Sequence, residues 1–139
     1  YTNQIDAFIK SHRLEKRVHL LHDVTFQYLP AIYQQAEIFV YPSRFEGFGI
    51  PIIEALHSAI PVIAATGSCL EEAGGPDSLY IHPDDKEGMT KAICSLLNHP
   101  EKKQHMIEQG LKYVTRFSEQ RQAEELMNLY RSLTEEKTI

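Results

Sequence analysis

The stretch from Ser43 to Glu54, reading S-R-F-E-G-F-G-I-P-I-I-E, constrains the fold more than any other part of the chain. The apolar run Ile38-Phe39-Val40-Tyr41 leads into it and reads as a buried strand. A Pro-started apolar segment, residues 50–59, leads out and reads as a helix with Pro51 in its first turn. Between them lie two glycines one residue apart, Gly47 and Gly49. A glycine-lined loop that feeds a helix N-terminus suits an anion. Its N–H groups point outward, the helix dipole adds positive charge, and the missing side chains let a phosphate come close. Two carboxylates flank the loop, Glu46 at its start and Glu54, which is expected in the first helical turn. They repel a phosphate, so they serve another part of the ligand. An ionised carboxylate only accepts hydrogen bonds, which suits vicinal hydroxyls. Phosphate plus hydroxyls describes a nucleotide sugar.

The rest of the chain alternates strand and helix patterns. Residues 3–11 read as a helix, with Ile5, Phe8 and Ile9 at helical spacing, and residues 18–21 as a short strand. Thr25 is placed to cap a helix that carries Leu29, Ile32 and Tyr33 on one face. Strands follow at 61–65 and 79–81, with a short helix at 69–73 and a Gly-Gly-Pro-Asp turn at 74–77 between them. Asp84 and Glu87 have capping-box spacing for a helix to about Leu97. Pro100 opens another helix, with Gly110 inside it or near its end. Ser118 caps a last helix whose Ala123, Leu126, Met127, Tyr130 and Leu133 form one stripe, expected to be core packing. The expected class is α/β, a Rossmann-like parallel sheet with helices on both faces, ending in a run of helices. Ligands in such folds sit at the C-terminal ends of strands, where the glycine loop lies.

Other chemistries fit less well. A dinucleotide fingerprint needs a third glycine where Ile52 stands, and a turn directly after its strand, whereas 42–46 intervene. His57 lies three residues after Glu54 on nearly the same helical face, but one His and one Glu make half a metal site. No H-E-x-x-H and no D-x-D occurs, so no metal is expected. The 139 residues are one domain's worth, with 42% hydrophobic and 24% charged residues. A net charge of −5 argues against a nucleic-acid surface, and no apolar run reaches the roughly 20 residues of a membrane span. Cys69 and Cys94 have no metal or redox spacing and read as reduced thiols, and no signal peptide opens the chain. The expected location is cytoplasmic, with membrane association through another domain left open.

The motif P-S-x-x-E-G-F-G-I-P-x-x-E-A, residues 42–55, resembles the E-x7-E signature of retaining glycosyltransferases of the GT-B fold, family 4. Pro61-Val62-Ile63-Ala64, Ser68-Cys69-Leu70-Glu71-Glu72, Pro83-Asp84-Asp85 and Arg116-Phe117-Ser118 follow that family's pattern in order. So do 17–24 and Leu29-Pro30-x-x-Tyr33-x-x-Ala36 upstream. The resemblance implies that Glu46 meets a hydroxyl of the donor sugar near the reacting carbon and is the catalytic candidate. It implies that Glu54 holds the ribose. Gly47 and the N–H groups of Phe48, Gly49 and Ile50 would line the sugar and phosphates, and the backbone of Val24 the base. The donor would be a UDP-, GDP- or ADP-linked sugar, with no other cofactor. The acceptor would be a glycan or lipid-linked glycan in polysaccharide or lipopolysaccharide assembly. An epimerase or phosphorylase of the same architecture, or a non-catalytic nucleotide-binding module, stays open.

By the same resemblance, residues 1–139 are a single unit, most of the nucleotide-sugar-binding C-terminal domain. Its first two strands, a basic pair and the N-terminal acceptor domain are expected elsewhere, and since the last helix of this family often crosses to the other domain, the resemblance leaves room for part of its stripe to be exposed. Ala59 stands where the family has Gly, so a left-handed residue there would be strained. In the strand order 3-2-1-4-5-6, strand 18–21 would be third and the strand at 38–41 fourth, leaving a gap of two strands between them. More protein, a second copy, or direct pairing of these two strands would have to close it, and the first is expected.

Overall fold

A computed structural model describes residues 2–135. Its sheet is built on β2 (Val62–Ala65), where all four residues are buried. A parallel strand covered on both faces needs such an unbroken apolar run. It pairs in parallel with β1 (Phe39–Tyr41) on one side and β3 (Leu79–Ile81) on the other, giving the order β1-β2-β3. Val40 sits opposite Ile63, and Ala64 opposite Tyr80.

The helices are α1 (Thr2–Ser11), α2 (Leu29–Gln35) behind a 3₁₀ turn at Phe26–Tyr28, α3 (Ile50–His57) and α4 (Leu70–Gly74). After the sheet come α5 (Lys86–Asn98), α6 (Pro100–Val114), a 3₁₀ turn at Thr115–Phe117 and α7 (Glu119–Glu135). Alternation along β2 divides the core. Val62 and Ala64 pack with Ile52, Ala55 and Leu56 of α3, Leu70 and Ala73 of α4, and Val114 of α6. Ile63 faces the other way, onto Ala92 and Leu96 of α5 and Met106 of α6. Helices therefore cover both faces, as the alternation of patterns implied. At Gly110, a Cβ would lie 2.8 Å from Leu56 Cδ2, so the glycine lets α6 approach α3 closely.

The end of α3 carries strain. The Ile60 N–H donates to the Ala55 carbonyl and the Ala59 N–H to the Leu56 carbonyl, the paired bonds of a Schellman cap. That cap needs a left-handed residue, and Ala59 takes it at φ 59°. Burying Ile60 just beyond is what the strain sustains.

Five expectations need correction. Residues 18–21 form no strand; Val18 and Leu21 are exposed, the Val18 N–H donates to the Leu14 carbonyl at 2.9 Å, and the segment joins no strand of the described sheet. A four-residue stretch supplies no ladder of its own, so without a neighbouring strand it stays irregular. The sheet accordingly has no internal gap, and direct pairing with β1 does not occur. Glu54 lies in the second turn of α3, because the helix starts at Ile50. The cap of α5 is Asp85, whose carboxylate accepts from the Gly88 N–H at 2.8 Å, while Asp84 pairs elsewhere. Thr25 precedes the 3₁₀ turn but its hydroxyl makes no cap bond. The α7 stripe is not core: Leu126, Met127, Tyr130 and Leu133 are about half exposed, since no described strand lies beneath that helix. Ser118 does cap it, accepting from the Arg121 N–H.

The strain at Ala59 is measurable. Ala59→Gly should raise stability by about 1 kcal/mol, the left-handed penalty less glycine's entropy in the unfolded chain. Urea unfolding of the intact protein checks this; an unchanged or lower midpoint would show that the turn is relaxed.

Candidate functional site

The loop after β1 reaches the rim at the strands' C-terminal ends. Phe48 explains how a loop this rich in glycine stays put. Its ring packs edge-on against Phe117 at 5.6 Å, and Phe117 in turn meets Tyr113 at 5.9 Å. The side chain points into the core, so the backbone on either side of it forms the surface. Gly49 is buried and caps α3 at φ 104°, ψ 41°. A Cβ there would meet Leu70 Cδ2 at 2.8 Å and Ala73 Cβ at 3.2 Å, so the loop rests directly on α4. Both the left-handed backbone and the close approach require glycine. A Cβ at Gly47 would meet nothing within 4 Å, and Ile50 is exposed.

Each carboxylate is held by a phenol. Tyr41, the last residue of β1, donates to Glu46 Oε1 at 2.6 Å. Tyr33 of α2 donates to Glu54 Oε2 at 3.0 Å. The two tyrosines belong to one aromatic row, with Phe39 5.4 Å from Tyr33 and 5.7 Å from Tyr41. The hydroxyl of Tyr41, with that of Ser43, holds Glu46 below the ordinary carboxylate range. Glu46 in turn, more than burial, pushes Tyr41 up to about 12. Tyr33 also rises to about 12, chiefly through burial and then through its bond to Glu54.

Neighbouring loops fasten the rim. The Cys69 thiol donates to the Glu46 carbonyl at 3.2 Å. Arg44 grips Asp84 with both guanidinium nitrogens, Nη1 to Oδ2 at 3.0 Å. Glu71 accepts from the Thr66 hydroxyl at 2.6 Å and the Gly67 N–H at 2.9 Å, which hold its carboxyl low.

A cavity of about 250 Å³ opens beside Glu54, lined by Phe26, Leu29, Pro30, Tyr33, His57 and Ser58. Glu54 enters it and Glu46 does not. Val24 is exposed and lies outside it, although Phe26, two residues on, forms part of the wall. His57 lines the cavity without a cluster around it; among the described residues, no three His, Cys, Asp or Glu gather to hold a metal ion. The sequence reading missed the phenol partners, the Arg44–Asp84 pair and the Cys69 contact. A tyrosine five residues before a glutamate is the only signal available for the first, and it is too common to single out.

This parallel sheet, with a glycine loop and helix N-terminus at its C-terminal rim, has the architecture of the C-terminal domain of a GT-B glycosyltransferase. Sucrose-phosphate synthase from Thermosynechococcus elongatus superposes on 97% of the chain and 35% of its own, with TM-score 0.82 and 28% identity. The C-terminal domain of a glycosyl transferase group 1 family protein (LpcC) from Francisella tularensis shares the fold, at TM-score 0.71 and 22% identity over 84% of this chain and 61% of that one. A family model described as glycosyl transferases group 1 matches residues 1–113, and the chain belongs to that family. It is 36% identical over 101 residues to the O-antigen chain mannosyltransferase RfbU of Salmonella typhimurium, covering 73% of this chain and 29% of that protein. It is 32% identical over 105 residues to the O-antigen chain mannosyltransferase B of Escherichia coli, covering 76% and 28%. The chain thus spans less than a third of these two relatives. Among the described residues, no helix is long and apolar enough to cross a membrane.

The phenol pairs give a spectroscopic prediction. A raised phenol stabilises the fold fully below the ordinary tyrosine value near 10, and that contribution is lost as pH rises through about 12. Tyrosinate absorbance after a rapid jump to pH 11 should leave Tyr33 and Tyr41 protonated. Glu46→Gln should bring Tyr41 down most of the way, because the carboxylate is its main cause. Glu54→Gln should move Tyr33 less, because burial remains. Equal shifts in both variants would contradict the two different causes.

Proposed function

We propose that this chain is the donor-binding part of a retaining glycosyltransferase, which moves a sugar from a nucleotide donor to a glycan or lipid-linked glycan. One observation carries the reading. Glu46 and Glu54, each anchored by a tyrosine hydroxyl, flank a glycine loop that opens into the N-terminus of α3. The loop and dipole meet the diphosphate, and the carboxylates meet hydroxyls. Glu46 takes a hydroxyl of the donor sugar, Glu54 the ribose, and the base lies toward Val24.

Transfer breaks the bond between the anomeric carbon and the phosphate oxygen; the acceptor oxygen takes that place with retained configuration, and its hydroxyl proton passes to the leaving phosphate oxygen. The leaving diphosphate gains negative charge. Backbone donors at Gly47, Phe48, Gly49 and Ile50, aimed where that charge develops, stabilise it without reorganising. The low acidity range of Glu46 keeps it ionised, hence an acceptor, through neutral pH. The names of the relatives favour a mannosyl donor and O-antigen assembly as the setting. Neither a resident metal nor a further cofactor is needed in this scheme, since the helix N-terminus stands in for a cation.

In the intact protein, one member of a sugar-nucleotide panel should raise the melting temperature. Glu54→Ala should weaken that donor by about 1–3 kcal/mol, the loss of a charged hydrogen-bond partner. Glu46→Ala should lower turnover more than nucleotide affinity, because it touches the reacting sugar. Equal losses of free-nucleotide affinity would show the roles to be misassigned. Activity should also survive EDTA; loss that manganese restores would overturn the metal-free scheme.

A further inference from the structure

The pairing of Arg44 with Asp84 joins two loops that leave non-adjacent strands. Arg44 lies two residues before Glu46 in the loop after β1, and Asp84 in the turn after β3, with β2 between those strands. The grip is bidentate, Nη1 to Oδ2 at 3.0 Å and Nη2 to Oδ1. Both side chains are 62% exposed. An exposed ion pair adds little to stability, because solvent screens it and two long side chains lose freedom. Bidentate geometry nevertheless fixes direction as well as distance.

The Asp84 end is itself fixed. Its N–H donates to His82 Nδ1 at 3.3 Å, and the next residue, Asp85, caps α5 through the Gly88 N–H. The anchor is therefore the rigid start of a 13-residue helix. The Glu46 end is held from other directions, by Tyr41 and Ser43 on the carboxylate and by Cys69 on the carbonyl. Within the segment between Tyr41 and Glu46, the Ser43 hydroxyl bonds locally, to the Phe45 carbonyl at 3.4 Å, while Arg44 ties the segment to the turn after β3.

We propose that the Arg44–Asp84 pair is a clamp across the rim, which sets the position of the Glu46 carboxylate, so that both are positioning residues. This rests on the reading of Glu46 as the carboxylate at the donor sugar. The clamp contributes little to folding. Its effect falls on whether Glu46 meets the reacting sugar at the right distance.

The test uses Arg44→Gln, Asp84→Asn and the charge swap Arg44→Asp with Asp84→Arg, all in the intact protein. Two readouts are taken. The first is Tyr41 ionisation after a rapid alkaline jump, which reports the phenol–Glu46 bond and needs no activity. Each single variant should move this phenol from about 12 toward the ordinary value near 10, and the swap should restore it. The second is kinetic: each single variant should lower kcat about tenfold or more while donor KM stays within about twofold, with recovery in the swap. An unmoved phenol in both single variants overturns the clamp, even where kcat falls, because Arg44 would then act without Glu46. Unchanged kcat in both also overturns it. A moved phenol in a protein that transfers no sugar would uphold the clamp's geometry and sink the transferase reading instead.

Discussion

The burial of β2 is the constraint on which the rest depends. Val62, Ile63, Ala64 and Ala65 have almost no contact with water, so every N–H and C=O of the strand must be paired within the protein. Two parallel neighbours satisfy that demand, and parallel neighbours require crossovers. Helices α3 and α4 supply them while burying the strand's face. Once three parallel strands lie side by side, their C-terminal ends share one rim. The loops after β1, β2 and β3 are then neighbours in space although far apart in the chain. The contacts of Glu46 with Cys69 and of Arg44 with Asp84 follow from that.

Much of this was legible in the sequence, for a physical reason. A strand buried on both faces must be apolar throughout, as β2 is, and the partly buried β1 and β3 also lie within the stretches read as strands. Helix starts were legible where a residue type is forced, as with Pro100 at α6 and Pro51 in the first turn of α3. What failed was whatever depends on a neighbour. Residues 18–21 have the composition of a strand, but a ladder needs a partner, and composition carries none. The stripe on α7 has the spacing of a core face, but spacing does not say that anything lies opposite. The cap of α5 slipped by one residue because two adjacent aspartates, Asp84 and Asp85, offer the same chemistry.

The site divides in the same way. Gly47, Gly49, Glu46 and Glu54 could be singled out as candidates because glycine and carboxylate at fixed spacing restrict what a loop can bind. The reason for glycine at 49 needed the structure, since only there do Leu70 and Ala73 leave no room for a Cβ. The phenols could not be found. Tyr33 and Tyr41 look like ordinary apolar members of a helix and a strand, and one hydroxyl turned toward a carboxylate leaves no mark on periodicity.

The span of the rim contacts has a consequence for how the chain acquires its shape. Cys69 lies 23 residues from Glu46, Asp84 lies 40 from Arg44, and Tyr113 lies 41 from the Glu72 carbonyl it donates to. Helices α5 and α6 can form from local bonds alone, whereas each of these ties must first close a long loop and so lose chain entropy. During synthesis, the glycine loop emerges well before the segments that fasten it. The loop's full set of contacts, which includes the packing of Phe48 on Phe117, can therefore close only after α6 has been made.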